Sequence, residues 1–85
     1  MTPDELVPLY GFVEGDTLGL LVLVRSNDTI ATLAASLQQA AEMRVAPFPH
    51  CAVLHRERRL EPALTVAAAG LTALDRIELV REAGR

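Results

Sequence analysis

Lysine is missing from the 85 residues, so all eight basic side chains are arginine and any chemistry that needs a lysine amine is excluded. Cysteine occurs once, at Cys51, which rules out an intrachain disulfide and gives no sign of export. Aromatic residues make up only 4%, so the 51% hydrophobic content rests mainly on Ala, Leu and Val. A net charge of −3 excludes general attraction to phosphate backbones or anionic membranes. No apolar run reaches the roughly 18–20 residues that span a bilayer. The opening "MTPDELVPLY" lacks a basic n-region and an uninterrupted apolar core, so no signal peptide is expected and a cytoplasmic location follows by default. No glycine-rich phosphate loop, Walker motif or GxSxG elbow is present. No Glu is followed three residues later by His, the pairing on which diiron carboxylate bundles are built.

What is present fits one small domain over 1–85, with a loose arm at 1–5 and a loose tail at 83–85. A chain this short buries only about 60–65% of its unfolded surface, so this much apolar content implies a dense core or a surface shared with a partner. "VPLYGFV" (7–13) reads as a first strand, with Pro8 tolerable near a strand start or on an edge. "EGD" (14–16) is a turn, and 17–25 is the returning strand of a hairpin. "SND" (26–28) offers N-cap oxygens to a helix over 29–43, whose Ile30, Leu33, Ala34, Leu37, Ala40 and Ala41 form one apolar stripe. Two prolines in "RVAPFPH" forbid its continuation. "CAVLH" (51–55) is a third strand, "RERR" a turn, and 59–61 a short fourth strand. "LTVAAAGL" makes a single helical turn, capped by Thr65 and ended by Gly70. "RIELVR" (76–81) alternates again, with Ile77 and Leu79 inward.

The order β-β-α-β-β-(short helical turn)-β is that of an α+β, ubiquitin-like β-grasp: a mixed sheet packed on one main helix. One feature does not fit a half-exposed strand. From Leu18 to Val24, Leu18, Leu20, Val22 and Val24 point one way, yet Leu21 and Leu23, on the other face, are apolar too. A two-layer domain leaves that second face open, and Leu54 and Val80 are expected beside them on outward positions.

Catalytic and metal readings find little support. His50 and His55 fall on opposite faces of a strand, and no further Cys or His completes a tetrahedral set. Cys51 has no recognisable catalytic partner and reads as a buried, inert thiol. Arg56, Arg58 and Arg59 form a basic tip that reads as a solvated turn. The end "REAGR" is not the diglycine that conjugation or sulfur transfer would require. Docking remains.

Several stretches resemble one family. "GFVEGD" precedes the apolar "LGLLVLV" strand, "DT" at Asp28 and Thr29 opens the helix, "RVAPFP" covers Arg44 to Pro49, and "AAAGLTALDRIELV" covers Ala67 to Val80. Over about 9–82 the chain resembles the small ubiquitin-like γ (gamma) subunit of the hydroxylase of bacterial soluble diiron multicomponent monooxygenases, the toluene, benzene, alkene and isoprene group. The resemblance implies a non-catalytic subunit that itself binds no iron. It would dock on a large (α) subunit holding the diiron centre, beside a medium (β) subunit, in a dimer of heterotrimers. A Rieske-type ferredoxin, an NADH reductase and a small effector protein would serve the O2-dependent oxidation of an aromatic or alkene hydrocarbon. The interface expected on this reading comprises Leu21, Leu23, Arg44, Val45, Pro47, Phe48, Leu54 and Val80. The third strand lacks the arginine- and histidine-rich pattern of aromatic-hydroxylating relatives, which leaves the substrate class open. The last stretch is also similar to the small ubiquitin-like protein of type VII secretion systems, so a ubiquitin-like adaptor of another assembly is the alternative.

Overall fold

A computed structural model describes residues 4–82. The strands are β1 (Leu6–Val13), β2 (Gly19–Arg25), β3 (Cys51–His55), β4 (Arg58–Arg59) and β5 (Arg76–Arg81), and one helix, α1 (Ile30–Ala41), follows β2. They form a single mixed sheet in the order β2-β1-β5-β3-β4. β5 runs parallel to β1 at its centre, and the other neighbours are antiparallel.

The β1–β2 hairpin turns at Gly15, whose φ of 91° is the left-handed conformation that the "EGD" turn demands. β2 begins at Gly19 rather than residue 17, because Asp16 accepts a hydrogen bond from the Leu18 amide and holds 17–18 in the turn. α1 is capped by Thr29, whose hydroxyl accepts from the Thr32 amide at 3.2 Å. The expected cap within "SND" is instead spent on a tight turn: the Asp28 carboxylate accepts from the Arg25 amide, and the Ser26 hydroxyl from the Glu5 amide. Helical spacing buries Ile30, Leu33, Leu37 and Ala41; Ala40, placed on the stripe by the sequence pattern, is exposed.

Arg56 and Glu57 both take positive φ (54° and 66°), making a two-residue turn that pairs His55 with Arg58. The fourth strand is therefore 58–59, earlier than the expected 59–61. After it, Thr65 caps one turn through the Ala68 amide, and Gly70 (φ 79°) ends it. The core lies between α1 and the inner sheet face, where Leu9, Leu33, Leu37, Val53, Val66, Ile77 and Leu79 are almost wholly buried. Asp4 and Glu5, assigned to the loose arm, are bonded to residues 26 and 27 through side chain and backbone. The rest of that arm (1–3) and the tail with Ala83, Gly84 and Arg85 lie outside the described residues.

Candidate partner interface

Strand alternation sends Val7, Leu9, Gly11 and Val13 of β1 toward the helix, so Leu6, Pro8, Tyr10 and Phe12 face the other way. On β2 the same rule buries Val22 and Val24 and turns out Leu21 and Leu23, which are 58% and 64% exposed. The register sets Leu21 beside Tyr10 and Leu23 beside Pro8, with Leu6 exposed nearby. These side chains make one apolar area on the β1–β2 half of the open face. Area of this kind, left bare, is what docking surfaces expose.

Leu54 and Val80 lie on the same outer face but are half-buried and sit on β3 and β5. Across one row the register runs Phe12, Glu78, Leu54, Arg59; across the next it sets Val80 beside Ala52. Arg76 and Glu78 of β5 therefore separate the two apolar areas. The Arg76 guanidinium lies 4.1 Å from the Phe12 ring centroid and covers it. The face thus combines an apolar half, a charged seam and a smaller apolar patch. Leu18, expected to point inward with Leu20, is 54% exposed, because it precedes the strand and belongs to the turn.

The Arg44 to Pro49 segment is placed differently. Arg44 makes a bidentate ion pair with Asp16 (Nε to Oδ1 3.1 Å, Nη2 to Oδ2 2.8 Å). That guanidinium holds the Asp16 carboxyl below its ordinary pKa and has its own pKa raised in turn. Two stretches that carry the family resemblance, the aspartate of "GFVEGD" and the arginine of "RVAP", therefore touch each other across 28 positions. Phe48 is buried in the domain's own core, beneath the Arg81 guanidinium, and its amide donates to the Gln38 side-chain carbonyl. Val45 is half-buried, and Pro47 is exposed. The segment thus clamps the end of α1 onto the hairpin, and of the residues named Pro47 and the rim of Arg44 offer the most surface. It is not brought together with Leu21 and Leu23 by any bond in the structure.

Sequence reasoning missed Leu6, Tyr10 and Phe12 as members of the open face. The signal was available: once Leu9 and Val13 are assigned inward, Leu6, Tyr10 and Phe12 follow by parity. It also missed Gln38, which joins the Phe48 amide to the Cys51 thiol at 3.6 Å.

Cys51 is half-buried, and burial together with nearby Glu82 pushes its thiol pKa up, so the nucleophilic thiolate is disfavoured. His55 lies 3.5 Å from Asp75, and His50 is exposed. Among the described residues no three His, Cys, Asp or Glu side chains are grouped to hold a metal ion. These donors do not fit a diiron centre. No helix of the described residues is long and apolar enough to cross a membrane.

Element order, the central parallel β1–β5 pair and the single helix define a ubiquitin-like β-grasp domain. Solved structures agree: the ubiquitin of Caldiarchaeum subterraneum is 14% identical with a TM-score of 0.75, covering 94% of this chain and 98% of its own. A designed protein based on ubiquitin is 25% identical with a TM-score of 0.78, covering 94% of each chain. Within that fold class, residues 6–80 match the family described as toluene-4-monooxygenase system protein B, and the chain belongs to that family. A chain of the toluene 4 monooxygenase HD complex with the inhibitor 4-bromobenzoate is 27% identical with a TM-score of 0.85, covering 92% of this chain and 100% of its own. No curated protein sequence matches.

Proposed function

We propose that this protein is the small docking subunit of a soluble diiron monooxygenase hydroxylase. It seats on the large diiron-bearing subunit through the open face of its sheet and contributes no catalytic group. Membership of the monooxygenase system family and the likeness to a chain of a toluene 4 monooxygenase complex support this reading. The observation that carries it is the bare apolar half of the open face, Leu6, Tyr10, Leu21 and Leu23, on a domain whose other face already packs on its own helix. The complex would also hold a medium subunit, and would work with an NADH reductase, a Rieske-type ferredoxin and an effector protein. The reaction would be O2-dependent hydroxylation or epoxidation of an aromatic or alkene hydrocarbon. The diiron chemistry would belong wholly to the large subunit.

Affinity-tagged chain expressed in its native host tests the reading. Recovery of a large subunit bearing two Glu-x-x-His motifs, at a fixed stoichiometry and with iron bound, is the expected result. Recovery of the chain alone, or with membrane machinery instead, overturns it.

A further inference from the structure

β2 forms one edge of the sheet, and its backbone groups are arranged to receive another strand. The Tyr10 amide donates to the Asp75 carbonyl at 2.9 Å, and the Pro8 carbonyl accepts from the Leu74 amide. Positions 8 and 10 of β1 therefore turn their backbone groups toward β5. Their partners across the hairpin are Leu23 and Leu21, so these are the non-hydrogen-bonded pairs of the ladder. The N–H and C=O of Leu21 and Leu23 consequently point away from β1, off the edge of the sheet.

This edge is bounded at both ends within the chain. The hairpin turn, where Asp16 accepts from the Leu18 amide at 3.1 Å, precedes it, and Asp28 closes its far end by accepting from the Arg25 amide at 2.9 Å. The Arg25 carbonyl in turn accepts from the Asp28 amide. Between these bounds, Gly19 to Val24 carries no proline and no charge, the devices that ordinarily protect an edge. The open groups therefore lie in a short defined window, beside the two most exposed leucines of the same strand.

We infer that the β2 edge is a strand-addition site: an extended segment of the hydroxylase partner pairs with Leu21 and Leu23 and sets alternate apolar side chains against theirs. This rests on the docking reading above and specifies its mode. Continuity of the patch selects this occupant over a second copy of the chain. Coplanar pairing of two β2 edges would extend the sheet but leave Leu6, Pro8 and Tyr10 of both copies bare, doubling the exposed face. A larger partner can both pair with the edge and cover that face.

The test uses full-length chain made by chemical ligation, with N-methyl leucine at position 21 or 23, reconstituted with the partner hydroxylase subunits. N-methylation removes an outward N–H that the domain's own fold does not use and leaves the side chain intact. Binding should weaken about tenfold or more, since a lost backbone hydrogen bond and a steric block act together. Amide exchange at Leu21 and Leu23 in the unmodified complex should slow by roughly an order of magnitude or more relative to the free chain. Leu21→Asp and Leu23→Asp are the parallel controls for docking itself. If the Asp variants lose binding while the N-methyl chains bind normally, docking stands and strand addition is overturned. If both sets bind normally, docking through this face falls as well. If free chain sediments as a dimer that N-methylation dissociates, the occupant is a second copy and the proposal is overturned.

Discussion

At the scale of single residues, the Asp16–Arg44 pair has the widest reach, because one carboxylate serves two purposes. It closes the hairpin turn through the Leu18 amide and ties the turn to the segment after α1. Asp16 has almost no exposed side-chain surface, whereas Arg44 remains partly open. Asp16→Asn keeps an acceptor for the Leu18 amide but removes the charge. The expected result near pH 7 is a melting temperature lower by a few degrees, measured by circular dichroism. The pKa of the folded carboxyl is depressed, chiefly by the Arg44 hydrogen bond, so the charged pair stabilises the fold above the unfolded carboxyl pKa. That contribution is lost as pH falls through the lower folded value. The gap between wild type and variant should therefore hold at neutral pH and close progressively below pH ~3.9. A gap that stays constant down to pH 2 would show that the charge contributes nothing. Glu82 is lowered in the same way by Arg59, so acid weakens the β4–β5 end along with the hairpin.

At the scale of elements, the helix-to-sheet contact has one point of close approach that dictates a residue type. A Cβ at Gly11 of β1 would overlap the Leu37 side chain, which is itself fully buried and has no room to retreat. Gly11→Ala should cost about 1–3 kcal/mol by overpacking, and Leu37→Ala about 2–5 kcal/mol by leaving a cavity. In the double variant the new methyl enters the space that Leu37 vacates. Urea unfolding should show the pair costing less than the sum of the singles by about 0.5–3 kcal/mol; strict additivity would mean the two residues do not meet. The elements were largely legible in the sequence because each has a local cause. Leu33 and Leu37 declare the helix by spacing, Gly15 declares the hairpin turn, and Ile77 and Leu79 declare the last strand by alternation. The failures have a common physical origin in side-chain contacts that hydrophobic patterning does not encode. Leu18 looked like a strand residue until Asp16 claimed its amide, and "SND" looked like a cap until Asp28 and Ser26 bonded backward to Arg25 and Glu5. Phe48 looked available to a partner, but its burial under Arg81 depends on a contact 33 positions away that no local pattern encodes. Leu21 and Leu23 were legible as an anomaly because alternation failed in place. Parity alone puts Tyr10 and Leu6 on the same face, and the β1–β2 register then sets Tyr10 directly beside Leu21.

At the scale of the whole molecule, the open face separates what the domain needs in order to fold from what it exposes. Leu21 and Leu23 touch solvent over more than half their surface, so replacing both with Asp removes little buried apolar area. Surface changes of this kind usually alter stability by less than about 0.5 kcal/mol. Two aspartates on neighbouring outward positions of one strand repel each other slightly, while Arg25 and Arg76 on the same face offset part of that charge. The Leu21→Asp/Leu23→Asp chain should therefore melt within a few degrees of wild type. It should also be more soluble alone, since an unprotected apolar edge is a template for association and charge on an edge strand blocks it. Incorporation into the hydroxylase should fall in the opposite sense, to below detection in co-expression with the partner subunits. A matched pair of changes on the buried face, Val22→Asp and Val24→Asp, should instead unfold the domain and lose every property together. Size-exclusion chromatography, thermal melts and co-purification on the two double variants read out both directions at once. Improved solubility with assembly lost, and folding kept, is the signature of a face reserved for a partner. Loss of folding in the Leu21/Leu23 variant would show that the face serves the domain itself. Retained assembly would move the contact elsewhere on the surface, to the Pro47 rim or the Leu54 and Val80 patch beyond the Arg76–Glu78 seam.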